Sequence, residues 1–89
     1  MSSVYRVKLK KTAIKFLQRQ DAIRQLQIKE IIEQLRMNPY EVANVKPLQG
    51  FEEKTFRVRF GQFRIIYQVI DHELTILVLK IGPRGDVYK

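Results

Sequence analysis

The 89-residue chain has no cysteine and a single histidine, and each shortage excludes a kind of chemistry. Without cysteine there are no disulfides and no cysteine-based zinc sites, which is compatible with a cytoplasmic protein. With His72 alone, a ribonuclease that depends on two histidines is also excluded. The sequence contains no glycine-rich phosphate loop, zinc-ligand spacing or nucleophile motif. We therefore expect neither a metal nor a cofactor.

Long apolar runs and acidic residues are scarce as well. No run is long enough to span a bilayer and the first residues do not form a signal segment, so we expect a cytoplasmic protein. Nine acidic residues against 17 basic ones give a net charge of +8. Such an excess attracts polyanions. Nucleic acid, an acidic membrane surface or an acidic protein would each satisfy it, and the charge alone does not choose among them.

The apolar residues that are present predict one α+β domain over residues 1–89. The content of hydrophobic residues, 45%, is ordinary for a folded protein, and the length suits one modest core. We predict an N-terminal strand at 4–9, an antiparallel helical hairpin at 12–20 and 21–37, and a three-strand antiparallel meander at 54–60, 62 or 63 to 70, and 73–81. The helices are expected to pack on one face of the sheet.

The helices are predicted from apolar spacing and from capping residues. Thr12 and Asp21 are the candidate N-caps, and Asn38-Pro39 ends the second helix because proline disfavours helical geometry in the residue before it. Residues 40–51 show no clear period and are predicted to be a connecting loop. The second helix should bury an apolar stripe made of Ile23, Leu26, Ile28, Ile31, Ile32 and Leu35.

The central stretch, residues 56–67, reads F-R-V-R-F-G-Q-F-R-I-I-Y. Its period of two predicts two half-buried strands joined by a type II′ turn at Gly61-Gln62. Counting outward from that turn pairs Arg59 with Arg64 and Val58 with Ile65. One face of the hairpin is then apolar, and the other carries Arg57, Arg59 and Arg64.

Like charges directly opposite each other destabilise a sheet, by up to about 1 kcal/mol. Because arginine presents a planar fork of donors that suits phosphate oxygens, three of them on one face favour a phosphate-binding site. The alternative is a solvated strand face that happens to be basic.

A second tight turn is predicted at Asp71-His72. Counting from it pairs Tyr67 with Ile76 and Arg64 with Leu79. It also predicts which residues form the core and which apolar residues lie among the arginines. The predicted core of the sheet is Phe56, Val58, Phe60, Phe63, Ile65, Tyr67, Val69, Leu74, Ile76 and Val78. The apolar residues expected among the arginines, as the floor of a groove, are Ile66, Leu77 and Leu79.

The tail after the last strand is rich in glycine and proline. A flexible turn there could bring Arg84 and Tyr88 over the basic face, where an exposed aromatic ring could stack on an unpaired base. In the other interpretation Arg84 is a turn residue and Tyr88 an edge aromatic.

These elements in this order, with F-R-V-R-F-G-Q-F-R-I-I-Y-Q-V and then V-L-K-I-G-P-R-G-D-V-Y, resemble the RelE branch of the RelE/ParE toxin superfamily. The resemblance implies a metal-independent endoribonuclease that cuts mRNA in the ribosomal A site, by attack of a 2′-hydroxyl on the adjacent phosphate. It also implies a cognate RelB-like antitoxin, acidic and partly disordered alone, and a toxin–antitoxin hetero-oligomer.

The resemblance also implies roles for particular residues. Arg57 and Arg59 would hold the phosphate, Arg64 would stabilise the transition state, Arg84 would act at the leaving oxygen, and Tyr88 would stack on the base. RelE itself has lysines at the positions of Arg57 and Arg59. Arginine does not deprotonate in proteins, so a working but slower nuclease is expected.

Two other functions fit the same sequence. A ParE-like toxin would inhibit DNA gyrase without being an enzyme, and a toxin-derived protein would bind nucleic acid without toxicity.

Overall fold

Alternating apolar residues build a five-stranded mixed sheet with two helices on one of its faces. The structure is a computed structural model, and it describes residues 4–83. The strands lie in the order β1-β5-β4-β3-β2. The predicted α+β class is confirmed, and so are the N-terminal strand, the helical pair and the antiparallel meander. The elements are β1 (Arg6–Leu9), α1 (Lys11–Gln18), α2 (Ala22–Met37), β2 (Val45–Leu48), β3 (Lys54–Phe60), β4 (Phe63–Ile70) and β5 (Thr75–Pro83).

The second helix begins and ends where the sequence predicts. The Asp21 carboxylate accepts a hydrogen bond from the backbone N–H of Arg24 at 2.8 Å and pairs with its guanidinium group at 2.8 Å. The helix ends at Met37, before Asn38-Pro39. Neither helix in the described chain has the length and apolarity that crossing a membrane requires.

Two details of the helix prediction are wrong. Thr12 does not cap α1: its hydroxyl donates to the Leu79 carbonyl at 2.9 Å and so ties the helix to β5. The stripe on α2 is also shorter than predicted, because Ile23 and Leu26 are 71% and 62% exposed. The first turns of α2 border an open groove of about 380 Å³ beside the β3–β4 turn, so the sheet does not cover Ile23. The residues buried on α2 are Ile28, Ile31, Ile32 and Leu35.

The β3–β4 hairpin has the predicted register. Val58 pairs with Ile65, and Arg59 pairs with Arg64. Gly61 occupies the first loop position with φ of 51°, a left-handed value that glycine adopts without the strain a Cβ would bring. The two-residue turn fixes the register of the hairpin, so the partner of each residue follows by counting outward from the turn.

The turn before β5 differs from the prediction, and the β4–β5 register differs with it. Residues 71–73 form a 3₁₀ turn, and Leu74 follows in the left-handed conformation with φ of 49°. Ile70 therefore pairs with Thr75, and Tyr67 pairs with Val78 rather than Ile76. Leu74, predicted to be in the core, is 44% exposed because it belongs to the turn.

A β-bulge then shifts the register once more. Tyr67 pairs with Val78 but its neighbour Ile66 pairs with Lys80, so Leu79 is the extra residue on β5. Arg64 consequently faces Gly82 instead of Leu79. Beyond the bulge, Ile81 enters the core at 3% exposure.

One strand was not predicted. Residues 45–48, predicted to be loop, form β2, which pairs antiparallel with β3 at the edge of the sheet. The segment is only four residues long and includes Pro47, which removes a backbone donor and is tolerated in an edge strand. At the opposite edge, β1 pairs in parallel with β5.

The core lies between the helices and the sheet, and its largest fully buried side chain is Tyr67. The Tyr67 hydroxyl donates to the Pro39 carbonyl at 2.6 Å, which joins β4 to the segment after α2. Burial raises the pKa of this phenol well above its usual value, so it stays protonated and remains a donor. The other buried apolar residues are Ala13, Ile28, Ile31, Ile32, Leu35, Val58, Phe63, Ile65, Val69, Ile76, Val78 and Ile81.

Replacing Tyr67 by phenylalanine leaves the buried Pro39 carbonyl without its partner. We expect Tyr67→Phe to lower the free energy of unfolding by about 1–2 kcal/mol, measured by chemical denaturation. Tyr5→Phe is the matched control, since its hydroxyl is exposed to water, and it should cost less. An equal loss in both variants would contradict the role of the buried hydrogen bond.

Asp71 joins three segments at the end of the sheet away from the β3–β4 turn. Its carboxylate accepts from the hydroxyls of Tyr5 at 2.8 Å and Tyr40 at 2.6 Å, and from the Lys54 ammonium at 3.0 Å. These donors stabilise the charged form and lower the pKa of Asp71 to about 2, the Tyr40 bond contributing most. The bond to Asp71 also raises the pKa of Tyr5, and burial together with the same carboxylate raises that of Tyr40.

The lowered pKa of Asp71 predicts a dependence of stability on acid. The folded pKa lies below the unfolded value of 3.8, so the stabilisation is complete above about pH 4 and is lost as the pH falls toward 2. The side chain is 43% exposed, so screening limits the effect to roughly 1 kcal/mol or less.

Denaturation of the wild type and Asp71→Asn between pH 5 and about pH 2 tests this. The variant should be less stable at pH 5 and should lose less stability on acidification. Glu73→Gln removes the same charge from the same turn and should behave like the wild type. Parallel acid dependences in the wild type and Asp71→Asn would refute the assignment.

Candidate functional site

Arg57, Arg59 and Arg64 lie on the open face of the sheet, the face opposite the helices. Arg57 and Arg59 flank Val58, which is fully buried, so alternation directs both guanidinium groups away from the core. Arg59 is directly opposite Arg64 on β4. Arg64 is 7% exposed, and the other two are half-buried. The predicted clustering is confirmed, whereas a catalytic role for these residues remains a prediction.

The charges on Arg57 and Arg59 are not neutralised within residues 4–83. Neither arginine takes part in a salt bridge there, whereas Arg24 and Arg36 each pair with a carboxylate. The Nε atoms of Arg57 and Arg59 are buried and have no hydrogen-bond partner in this part of the chain. A buried, unsatisfied donor on a charged group is costly. An anion that binds this face would supply the acceptors.

A small cavity lies between the turn of the hairpin and the edge strand. It encloses about 160 Å³ and is lined by Asn44, Lys46, Arg57, Arg59, Phe60 and Gly61. About 10–15 Å³ of such volume is enough to hold one water molecule, so the cavity has room for a phosphate-sized anion. Lys46 is directly opposite Arg57 across the β2–β3 pair, which adds a third cation to the lining.

Lys46 and Lys80 were missed by sequence reasoning. Lys46 belongs to a segment for which the sequence predicts a loop, so its place on the sheet is not indicated. The sequence does not indicate the bulge at Leu79. The bulge pairs Lys80 with Ile66 and so places Lys80 on the open face. The V-K-P-L segment around Lys46 carries no alternation long enough to predict a strand.

Charge is segregated by surface across the described chain. No strand contains an aspartate or glutamate; every acidic residue between 4 and 83 lies on α2, at its N-cap, in a loop or in the 3₁₀ turn. A face with cations alone concentrates a positive field and attracts polyanions. The cations that the pairing places on the open face are Arg6, Lys8, Lys46, Arg57, Arg59, Arg64 and Lys80.

The remaining candidate residues are Arg84, Tyr88 and His72. Arg84 and Tyr88 fall outside the described residues. His72 is exposed in the 3₁₀ turn, at the end of the sheet away from the arginines. Within residues 4–83, no group of three histidine or carboxylate side chains is arranged to hold a metal ion.

Two helices on one face of a mixed five-stranded sheet are also found in solved toxin structures. The chain is similar to the archaeal RelE–RelB complex of Pyrococcus horikoshii, with a TM-score of 0.82, 31% identity, and 94% of this chain and 99% of that chain covered. It is also similar to the toxin–antitoxin complex RelBE2 of Mycobacterium tuberculosis, with a TM-score of 0.77, 26% identity, and coverages of 91% and 99%. The fold is that of RelE toxins.

Sequence relatives agree with the structural similarity. The chain is 41% identical over 63 residues to a Methanocaldococcus jannaschii protein named as toxin RelE1. The matched region covers 68% of this chain and 69% of that protein. It is 34% identical over 87 residues to a RelE-like toxin protein of Escherichia coli, with coverages of 94% and 90%. Residues 7–88 match the family model of the ParE toxin of the type II toxin–antitoxin system parDE. The chain therefore belongs to the RelE/ParE superfamily and is a RelE-like toxin of a type II toxin–antitoxin system.

The facing arginines predict an unusual effect of mutation on stability. Arg59→Gln removes one member of the like-charged pair, so we expect unfolding free energy equal to the wild type or higher by up to about 1 kcal/mol. The gain should shrink as salt screens the repulsion. Arg24→Gln, which breaks the pair with Asp21, is the control and should give no gain. A loss of more than about 1 kcal/mol in Arg59→Gln would mean that the pair is not repulsive.

Proposed function

We propose that this toxin is an endoribonuclease that cleaves mRNA in the ribosomal A site. The observation that carries the proposal is the group of Arg57, Arg59 and Arg64 on one rigid face, where the first two have no acidic partner within residues 4–83. Strands hold their side chains more precisely than loops do, and phosphodiester chemistry depends on that positioning. The RelE names of the relatives support the same activity.

In the proposed reaction the 2′-hydroxyl oxygen of one nucleotide attacks the adjacent phosphorus. The new P–O2′ bond forms as the P–O5′ bond breaks, which leaves a 2′,3′-cyclic phosphate and a 5′-hydroxyl. The 2′-hydroxyl gives up a proton, and the departing 5′ oxygen takes one up. Negative charge grows on the non-bridging oxygens during the attack, and arginines fixed beside them stabilise it.

The arginines act in this scheme by position and charge. Arg57 and Arg59 hold the phosphate from the strand beside the cavity, and Arg64 stabilises the charge that develops in the transition state. Arginine does not release its proton, so water, ribosomal RNA or the substrate must remove the proton from the 2′-hydroxyl. This is the physical reason to expect a slower enzyme than one with lysines on β3.

The antitoxin partner is proposed to be RelB-like and acidic. The P. horikoshii structure is a RelE–RelB complex, and the net charge of +8 suits an acidic partner. A partly disordered segment can fold on binding and cover a large surface, with complementary charge guiding the encounter. We place the resulting hetero-oligomer, and the toxin's action on ribosomes, in the cytoplasm.

A second candidate is inhibition of DNA gyrase without catalysis. The match of residues 7–88 to the ParE toxin model favours it, because the two branches share a fold and a fold does not fix a function. In that case the arginine face is dispensable for toxicity.

Expression of the chain without an antitoxin, followed by mapping of mRNA ends and of DNA breaks, separates the candidates. We expect cuts at defined codon positions and no DNA breakage. Arg64→Ala should reduce cutting by roughly 10²–10³, the effect of losing one well-aimed donor. Since Arg64 is largely buried, Arg57→Ala provides a second, half-buried variant, and the folding of both is checked by denaturation.

Lys29→Ala, on the exposed side of α2, is the control and should cut like the wild type. DNA breaks that persist in Arg57→Ala and Arg64→Ala would establish the gyrase alternative. Growth arrest with neither mRNA cuts nor DNA breaks would exclude both functions.

A further inference from the structure

The cations of the open face form two groups. The first consists of Lys46, Arg57 and Arg59, which line the small cavity, and of Arg64, which lies directly opposite Arg59. The second lies on β5 and β1 and consists of Lys80, Lys8 and Arg6, for which the proposed reaction has no use. Lys8 pairs with Leu77 of β5, and Arg6 pairs with Thr75, so both are on the same face as Lys80.

The two groups are joined by one transverse row of residues. Lys46, Arg57, Ile66 and Lys80 are successive partners across β2, β3, β4 and β5. Arg57 and Lys80 are therefore two strands apart, about 10 Å at the usual strand spacing. The long aliphatic chains of Arg57 and Lys80 allow their charged groups to approach each other across this distance.

Among residues 4–83, none that lies between the two groups on this face is charged. Ile66, Gln68 and Leu77 occupy the surface between the groups, and all three are half-buried. A strip of apolar and amide side chains with cations on both sides matches a single-stranded nucleic acid, whose sugars and bases need a floor and whose phosphates need cations at intervals. An ordinary solvated face carries carboxylates as well as cations, and the strands of the described chain carry none on this face.

We propose that Lys80 and Lys8 bind phosphates of the RNA strand that flank the cleaved one, so that the strand crosses the sheet from β2 toward β1. The inference rests on the proposed function, because it assumes that the cleaved phosphate sits at the arginines. The bulge at Leu79 has a role in this arrangement: it alone turns Lys80 to the open face. These lysines position the substrate and take no part in bond cleavage.

The test compares binding of a long and a short RNA by the purified toxin at low ionic strength. Both oligonucleotides carry a 2′-deoxy nucleotide at the cleavage position, and the short one is a dinucleotide whose single phosphate is the one that would be cleaved. For Lys80→Gln and Lys8→Gln we expect affinity for the long RNA to fall about three- to tenfold each, with a salt slope lower by about 0.7 per lost phosphate contact. Affinity for the short RNA should not change.

Lys29→Gln and Lys15→Gln make the same change of charge on the helices and are the matched controls. The proposal is overturned if Lys80→Gln and Lys8→Gln bind the long RNA like these controls, or if they weaken the short RNA equally. It is also overturned if the wild type binds the long RNA no better than the short one, or if only antitoxin binding is weakened.

Cleavage on programmed ribosomes distinguishes this proposal from the proposed function. If the function is right, Lys80→Gln and Lys8→Gln should raise KM and leave kcat close to the wild-type value. If the wild type binds the long RNA through these lysines but does not cleave mRNA, the proposed function fails, while the binding of RNA phosphates by Lys80 and Lys8 stands.

Discussion

The burial of one face of the β3–β4 hairpin is the constraint on which the rest of the structure depends. Val58 and Ile65 are directly paired and fully buried, and burial of such side chains contributes about 1.5–3 kcal/mol each. The repulsion between Arg59 and Arg64 costs up to about 1 kcal/mol, so the core holds the two arginines together. A slip of one residue would expose the apolar set. The positions of the arginines are therefore fixed by the core and not by any attraction among themselves.

The hydrogen bonds of Asp71 and the cluster of arginines lie at opposite ends of the sheet. At one end Asp71 joins Tyr5, Tyr40 and Lys54 and so ties β1, β3 and the segment after α2 to the turn before β5. Near the β3–β4 turn lie the arginines and the small cavity. Carboxylates are confined to α2, its N-cap and the turns, so the described chain has a cationic sheet face and a mixed helical face. A polyanion approaching this molecule is directed to the sheet.

Local features of the sequence explain which predictions succeeded. The Asp21 cap, the end of α2 and the register around Gly61 depend on neighbouring residues only, and each was predicted correctly. Asp71-His72 favours a tight turn before the last strand, and that prediction is wrong. Residues 71–73 instead form a 3₁₀ turn followed by left-handed Leu74, a conformation that leucine rarely adopts and that sequence gives no reason to expect. The resulting error displaced every pair between β4 and β5.

The sequence by itself determined that Arg57, Arg59 and Arg64 share one face, because alternation and a two-residue turn are properties of the hairpin alone. Only the tertiary structure decided the remainder of the basic face. Lys46 joins it because β3 offers hydrogen bonds to a four-residue segment that would not form a strand unaided. Lys80 joins it because the bulge keeps both Val78 and Ile81 in the core, which displaces the residues between them. Such pairings depend on how distant segments pack together. The hydrophobic period and the strand propensity of a local segment do not contain that information.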